Sequence, residues 1–199
     1  MTTMKEVINH LLSVIGEDPV TSAESNHPSA LIAKENINRV NKELQIQKWW
    51  FNTEYNLKLS PNGIGNILVP SGTLFIDPVS TTSNLVRRGE KMYNPITHTF
   101  IFTDPIYVDV VLLLDIEDIP ESAANYVQHK AALDMYVNED GDQVKTSKLE
   151  DRVAAAWTIL REDYLRSADF NAYNRPSVRE VMARSRMLGI TGHFIKDNT

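Results

Sequence analysis

The sequence predicts an α+β fold: an antiparallel helix bundle with a β-rich antiparallel insertion and a C-terminal docking tail. Apolar residues recur at helical spacing near both ends of the 199-residue chain. Between those ends, short apolar runs alternate with proline, glycine and threonine, which is typical of strands and turns. The predicted bundle comprises residues 1–48 and 119–174, the insertion residues 49–118, and the tail residues 175–199.

Composition argues against several classes of function. The chain carries 26 acidic and 20 basic residues, and this net charge of −6 disfavours a protein that coats nucleic acid. It has no cysteine, which excludes disulfides and thiolate metal sites. No apolar run approaches the roughly 18 residues of a membrane span, and Lys5 and Glu6 are unlike a signal peptide. We therefore expect a soluble protein made in a cytoplasm.

Two helices are predicted before residue 49. Thr3 and Glu6 have the spacing of a capping box that begins the first helix, and Gly16 is suited to end it. Pro28 suits the first turn of the second helix. Its apolar stripe is predicted to be Ala30, Ala33, Ile37, Val40 and Leu44. The other face is predicted to be solvated or to contact a partner, and comprises Lys34, Glu35, Asn38, Arg39, Asn41, Lys42 and Glu43.

The insertion changes to strand-like patterns. Tyr55, Leu57 and Leu59 alternate with polar residues and are predicted to share one face of a strand, and residues 107–114 are the strongest predicted strand. Frequent prolines suit edge strands and long loops rather than a large closed sheet. The insertion opens with Trp49-Trp50-Phe51, which we expect to fill the junction with the bundle. An interface anchor is the alternative.

Two further helices follow the insertion. Pro120 again occupies a first-turn position, and the third helix is predicted to bury one face. That face comprises Ala123, Tyr126, Val127, Ala131, Leu133, Met135 and Val137. Ser147 and Glu150 have the spacing of a second capping box, which predicts the start of the fourth helix. Apolar residues then recur from Leu149 to Tyr164.

No pattern identifies a metal or cofactor site. The five histidines are scattered without a pair at ligand spacing, although two of them could still meet in the fold. Asp140-Gly141-Asp142 lacks acidic ligands at the first and last positions of a calcium loop. Gly63-Ile64-Gly65 lacks the third glycine of a dinucleotide site. We expect no metal and no cofactor.

Acidic residues surround the junction between the last predicted strand and the third helix. Asp115, Glu117, Asp118 and Glu121 could supply the carboxylate pair of a glycosidase. Favourable electrostatics at a helix start explain them more simply. We therefore expect no catalytic residues.

The tail is the most suggestive segment. Residues 175–199 contain five basic and two acidic residues, a balance of +3 that leaves −9 for the preceding 174 residues. A short apolar stripe follows Pro176-Ser177. A basic amphipathic segment beyond a complete bundle is suited to docking on another subunit, since arginine binds carboxylates bidentately. A solvated tail is the alternative.

Four segments, taken in chain order, resemble the tail tubular protein A family, the head-to-tail adaptors or gatekeepers of short-tailed podophages. They are residues 7–20, 48–52, 85–94 and 108–120. The resemblance covers roughly residues 4–165. The chain departs from the family after Asn174, where the family varies.

The resemblance implies a virion protein without enzymatic activity, assembled in the host cytoplasm. Copies would form a dodecameric ring between the portal protein and the tail nozzle protein, tail tubular protein B. A tail fibre or tailspike would attach around the junction. The helices and tail would meet the portal, and loops of the insertion would reach towards the nozzle. Twelve copies of −6 would carry −72, so DNA would pass through the lumen without specific binding.

The portal-interface hypothesis names six residues of the tail: Arg175, Arg179, Met182, Arg184, Arg186 and Met187. The main alternative is a tail-associated glycan hydrolase that acts on host capsule or cell wall through Glu117 and Asp118. A soluble regulatory or chaperone-like bundle without a virion role is a third class.

Overall fold

The structure, a computed structural model, describes residues 1–79, 84–139 and 141–172. Within these ranges it combines helices with antiparallel sheets, so the predicted α+β class is confirmed. The elements are α1 (Met4–Ile15), α2 (Pro28–Gln45), β1 (Thr53–Leu59), β2 (Thr73–Pro78), β3 (Val86–Arg88), β4 (Lys91–Tyr93), β5 (Ile106–Leu112), α3 (Glu121–Glu139) and α4 (Gln143–Ala172). Residues 1–160 form one compact unit.

The capping box and Gly16, the two predicted signals, mark the start and the end of α1. The Thr3 hydroxyl accepts a hydrogen bond from the backbone N–H of Glu6 at 3.4 Å, and the Glu6 carboxylate accepts one from Thr3 at 2.8 Å. The second contact lowers the pKa of the Glu6 carboxyl. Gly16 ends the helix with φ 84°, a left-handed conformation that glycine adopts without a steric cost. The predicted first helix is confirmed.

The predicted stripe of α2 is buried, but the opposite face is less solvated than expected. Asn41 was predicted on the solvated or partner-binding face, and it is buried. Its side-chain amide donates to the backbone oxygen of Leu114 at 2.9 Å. Arg39 bridges Glu43 of its own helix and Asp134 of α3, at 2.9 and 2.8 Å. The face of α2 beside the stripe therefore contacts Leu114, just after β5, and Asp134 of α3.

The four helices contribute to one hydrophobic cluster. Helices α1, α2 and α3 contact one another pairwise, and α4 adds Leu149 and Leu160. The predicted face of α3 is only partly correct. Val137 is 50% exposed, whereas four residues outside the prediction are buried: Ser122, Ala124, Ala132 and Tyr136. Because α3 packs against both α1 and α2, its buried face is rotated and wider than one apolar stripe.

Helix α4 begins earlier than the capping pattern predicted. It starts at Gln143, and Ser147 lies inside its second turn. Asp142 supplies the cap instead, since its carboxylate accepts a hydrogen bond from the backbone N–H of Lys145 at 2.9 Å. The predicted start at Ser147 is wrong because Asp142 provides an equivalent acceptor one turn earlier. Asp140 lies outside the described residues.

The larger sheet is three-stranded and antiparallel, with β5 in the centre and β1 and β2 at its edges. The strand predicted over residues 107–114 is thus the central one. A bulge interrupts β1 between Glu54 and Leu57, where Asn56 has φ 55° and donates its backbone N–H to Asp109 at 2.9 Å. The bulge leaves Tyr55 71% exposed. The predicted common face of Tyr55, Leu57 and Leu59 is therefore wrong at Tyr55.

A second, smaller hydrophobic cluster lies in the β region. It comprises Ile67, Val69, Leu85 and Met92, with Leu59, Ile76, Phe102 and Ile106 packed against it. The apolar runs 67–69 and 100–102 are not strands: Leu68 forms an isolated bridge with Lys91, and Ile101 forms one with Asn66. Strands β3 and β4 form a short hairpin. The β region thus has a small core of its own beside that of the helices.

Candidate interaction surfaces

The aromatic residues that open the predicted insertion pack at its junction with the helices. Trp49 is buried, and its indole N–H donates to the backbone oxygen of Leu44 at 2.8 Å. Its ring meets those of Trp50, Phe51 and Trp157, with centroids 5.9, 6.3 and 5.7 Å away. Core packing, rather than an exposed interface anchor, accounts for Trp49.

A buried amide network fixes the end of β5 at the same junction. Gln45 is fully buried, donates to Leu114 at 2.8 Å and accepts from the backbone N–H of Leu114 at 2.8 Å. Asn52 donates to the backbone oxygens of Gln45 and Leu112, each at 2.9 Å, and accepts from the N–H of Trp49. The network joins α2 to β5. Sequence patterns do not predict this network, because the backbone groups of Leu112 and Leu114 lie 60 or more positions away from Asn52 and Gln45.

The acidic residues of the hydrolase alternative include two that cap or tether the N-terminal segment. The Glu117 carboxylate accepts a hydrogen bond from the backbone N–H of Met4, the first residue of α1, at 3.1 Å. Glu121 accepts from the hydroxyl and the backbone N–H of Thr2, which lowers the pKa of the Glu121 carboxyl. Asp118 is exposed on the turn before α3. A general acid needs a raised pKa, and the contacts of Glu121 lower its pKa instead.

Two histidines that the sequence left as scattered residues meet in the fold. His10 of α1 and His129 of α3 lie with ring centroids 5.5 Å apart. Within the described residues, no group of three or more histidine, aspartate or glutamate side chains is placed to hold a metal ion. The pair is better suited to sensing protons than to binding a metal.

The six residues of the portal-interface hypothesis lie outside the described residues. These are Arg175, Arg179, Met182, Arg184, Arg186 and Met187, and their assignment stays a prediction. Candidate surfaces in the described part of the chain are therefore those of the helices and the β region.

Comparison with known proteins identifies the family. Residues 5–170 match the profile of the family described as tail tubular protein. The chain belongs to the tail tubular protein family. It is also 25% identical over 176 residues to tail tubular protein A of Klebsiella phage KP34, an alignment that covers 88% of this chain and 94% of that protein.

Membership of the tail tubular protein family makes the chain a structural component of a bacteriophage tail, and hence of the virion. In the part of the chain that the structure describes, no helix is both long and apolar enough to cross a membrane. The surfaces through which this family member meets other proteins are thus the features of greatest functional interest.

Three strongly exposed isoleucines lie on the loops of the β region. Ile64 is 71% exposed, and Ile96 and Ile101 are each 64% exposed. The two loops that carry Ile64 and Ile101 are joined by a backbone hydrogen bond from Phe102 to Gly65 at 2.8 Å. Large apolar groups on loops fixed in this way are suited to contact with another protein. Sequence patterning missed them because apolar loop residues resemble strand residues.

Proposed function

We propose that this tail tubular protein is a head-to-tail adaptor. Copies form a dodecameric ring that joins the portal to the tail nozzle and encloses part of the DNA ejection channel. The observation that carries the proposal is the family match over residues 5–170, together with the similarity to tail tubular protein A over nearly its full length.

The division of the chain suggests how one subunit is oriented in this assembly. An antiparallel bundle of residues 1–48 and 119–174 faces the portal, together with the docking tail of residues 175–199. The insertion of residues 49–118 faces the nozzle protein, tail tubular protein B, and a tail fibre or tailspike attaches around that junction. The separate hydrophobic clusters of the helices and the β region support this division. The exposed isoleucines of the β loops support a protein contact on the nozzle side.

Net charge supports the channel role. Each copy carries −6, and an acidic lumen repels DNA phosphates, so the genome slides through without specific binding. A hydrolase is not favoured, since Glu117 caps α1 through the Met4 N–H. The adaptor is therefore not an enzyme and acts through its interfaces.

Native mass spectrometry of the full chain mixed with the portal protein tests the proposal. We expect a portal complex that carries twelve copies of this chain. A chain truncated after Asn174 should lose portal binding and keep its thermal melting curve, because the helical hydrophobic cluster of the described residues is built from positions up to Leu160. A full-length chain that stays monomeric at micromolar concentration, with and without portal, would contradict the adaptor role.

A further inference from the structure

The β3–β4 hairpin carries three basic side chains and is anchored in the smaller hydrophobic cluster. Its basic residues are Arg87, Arg88 and Lys91, called here the basic hairpin, and all three are exposed. They are three of the four lysine and arginine residues between positions 49 and 118. Met92 is fully buried in the smaller cluster, and its backbone N–H donates to Ile67 at 3.0 Å. The backbone of the hairpin is therefore anchored, and with the exposed Glu90 of its turn the hairpin carries a net charge of +2.

Both arginines are preorganised without a carboxylate partner. The Arg87 guanidinium donates to the backbone oxygens of Gly89, at 2.8 Å, and of Thr73. Arg88 lies over the ring of Tyr93, 3.6 Å from its centroid. Among the described residues, no ion pair involves the basic hairpin. Its positive charge is thus available for a partner of negative charge.

A surface of opposite charge lies elsewhere on the same chain. Asp115, Glu117 and Asp118, called here the acidic turn, are exposed between β5 and α3. Ile116 and Ile119 anchor the turn in the helical cluster, and the Asp118 N–H donates to Asp115 at 3.0 Å. No ion pair in the described ranges involves these carboxylates. The two surfaces are anchored in different hydrophobic clusters, and neither neutralises the other within the chain.

We propose that the basic hairpin of one copy docks against the acidic turn of the next copy around the ring. This inference rests on the proposed ring. Copies related by rotation in a ring meet through two different patches, since each subunit offers one patch to each neighbour. The chain carries two such patches, compact and opposite in charge, and their attraction sets the register of neighbouring copies. Duplex DNA is the other polyanion that the basic hairpin fits, and the test below separates the two.

Charge reversal on both sides tests the contact. One variant, Arg88→Glu with Lys91→Glu, makes the hairpin acidic. The other, Asp115→Lys with Asp118→Lys, makes the turn basic and leaves Glu117 as the cap of α1. Assembly of the full chain, alone and on the portal, is followed by native mass spectrometry. Lys58→Glu with Lys148→Glu is the control for the first variant, because both lysines are exposed, neither belongs to the hairpin or the acidic turn, and the change in charge is the same.

We expect each reversed variant alone to need about 100-fold more protein for assembly than the wild type, because like charges face one another. An equimolar mixture of the two should assemble again with alternating copies, since each acidic hairpin then faces a basic turn. Raising salt from about 0.05 to about 0.5 M should weaken wild-type assembly. The lysine control should assemble as the wild type does.

The outcomes separate this contact from the ring itself. If the wild type forms rings and both reversed variants assemble equally well, the contact is overturned and the proposed ring stands. A mixture that fails to assemble would also overturn the contact. If the hairpin variant assembles normally but loses binding to a fluorescent DNA duplex, DNA is the occupant instead. A wild-type chain that never assembles, even on the portal, would overturn the ring and the contact together.

Discussion

His10 of α1 and His129 of α3 meet edge to face, with 5.5 Å between the centroids of their imidazole rings. Nε2 of His10 and Nδ1 of His129 are buried without a hydrogen-bond partner among the described residues. Burial, and for His10 the nearby His129, lowers the pKa of both imidazoles, and Arg152 of α4 adds positive charge beside them. The packing of these helices is therefore most favourable when both rings are neutral.

Acidification should therefore destabilise the protein through this pair. Both groups have a pKa below the ordinary value of 6.5 in the folded state, so the unfolded state takes up protons first. The stability is fully present above about pH 6.5 and is lost as the pH falls towards the folded-state pKa values. We expect the melting temperature to fall between about pH 7 and about pH 5. The His129→Asn variant, which cannot be protonated, should show a smaller fall. Equal falls in the two proteins would rule out the pair as the cause.

Substitution of Asn52 should lower the free energy of unfolding more than substitution of most other polar residues. Its side chain pairs with the backbone groups of Trp49, Gln45 and Leu112, and Asn52→Ala would remove these hydrogen bonds from a buried site. We expect a loss of about 2–4 kcal/mol in the free energy of unfolding, measured by urea denaturation. The control is Asn138→Ala at an exposed position, which should change this free energy by less than about 0.5 kcal/mol. Equal effects of the two variants would contradict the role of the network.

Glu117 offers a direct comparison of its capping role with catalysis. Glu117→Gln keeps an oxygen that can accept the Met4 N–H, whereas Glu117→Ala removes it. We expect Ala to cost about 0.5–2 kcal/mol in the free energy of unfolding, and Gln to cost less. Amide exchange at the first turn of α1 should rise in the Ala variant. Glycan release that the wild type shows and Glu117→Gln abolishes without unfolding would instead favour a hydrolase.

Local signals predicted the helices best, because their causes are local. The cap of α1 involves Thr3, Glu6 and Gly16, which are close in sequence, and the structure forms it as predicted. The predictions that were wrong concern residues whose hydrogen-bond partners are distant in sequence or compete with another residue. Ser147 has the residue type and spacing of a cap, but Asp142 caps α4 earlier in the chain. Asn41 is buried because its side chain bonds to Leu114, which is distant in sequence. Local sequence patterns do not show which of two possible caps is used, or which distant residue a side chain contacts.

The candidate surfaces were less predictable than the fold. The meeting of His10 with His129 depends on how α1 packs on α3, which no spacing along the chain encodes. The bulge at Asn56 shifts the register of β1 and exposes Tyr55, although the sequence alternates as a regular strand should. The portal-interface residues lie outside the described residues, so family resemblance and charge remain the basis for their assignment.

Gly65 should be intolerant of any side chain, in contrast to its neighbour Gly63. Gly65 has φ 79°, and a Cβ at this position would lie 2.8 Å from Cγ2 of Ile101. Gly65→Ala should therefore cost about 1–3 kcal/mol in the free energy of unfolding, through backbone strain and the displacement of Ile101. At Gly63 a Cβ would meet no atom within 4 Å, so Gly63→Ala is the matched control. Equal thermal melts of the two variants would show that the loops do not approach so closely.

The arginines of the tail should determine affinity for the portal without contributing to the stability of the chain. Arg184→Glu with Arg186→Glu replaces two cations suited to bidentate carboxylate contacts with groups that repel them. We expect the Kd for the portal, measured by biolayer interferometry, to rise about tenfold or more, with an unchanged melting temperature. The control Lys5→Glu with Lys148→Glu makes the same change in net charge on α1 and α4. A similar loss of affinity in the control would mean that net charge or the portal-facing helices, rather than the tail arginines, govern binding. An unchanged Kd in the tail variant would remove these arginines from the interface.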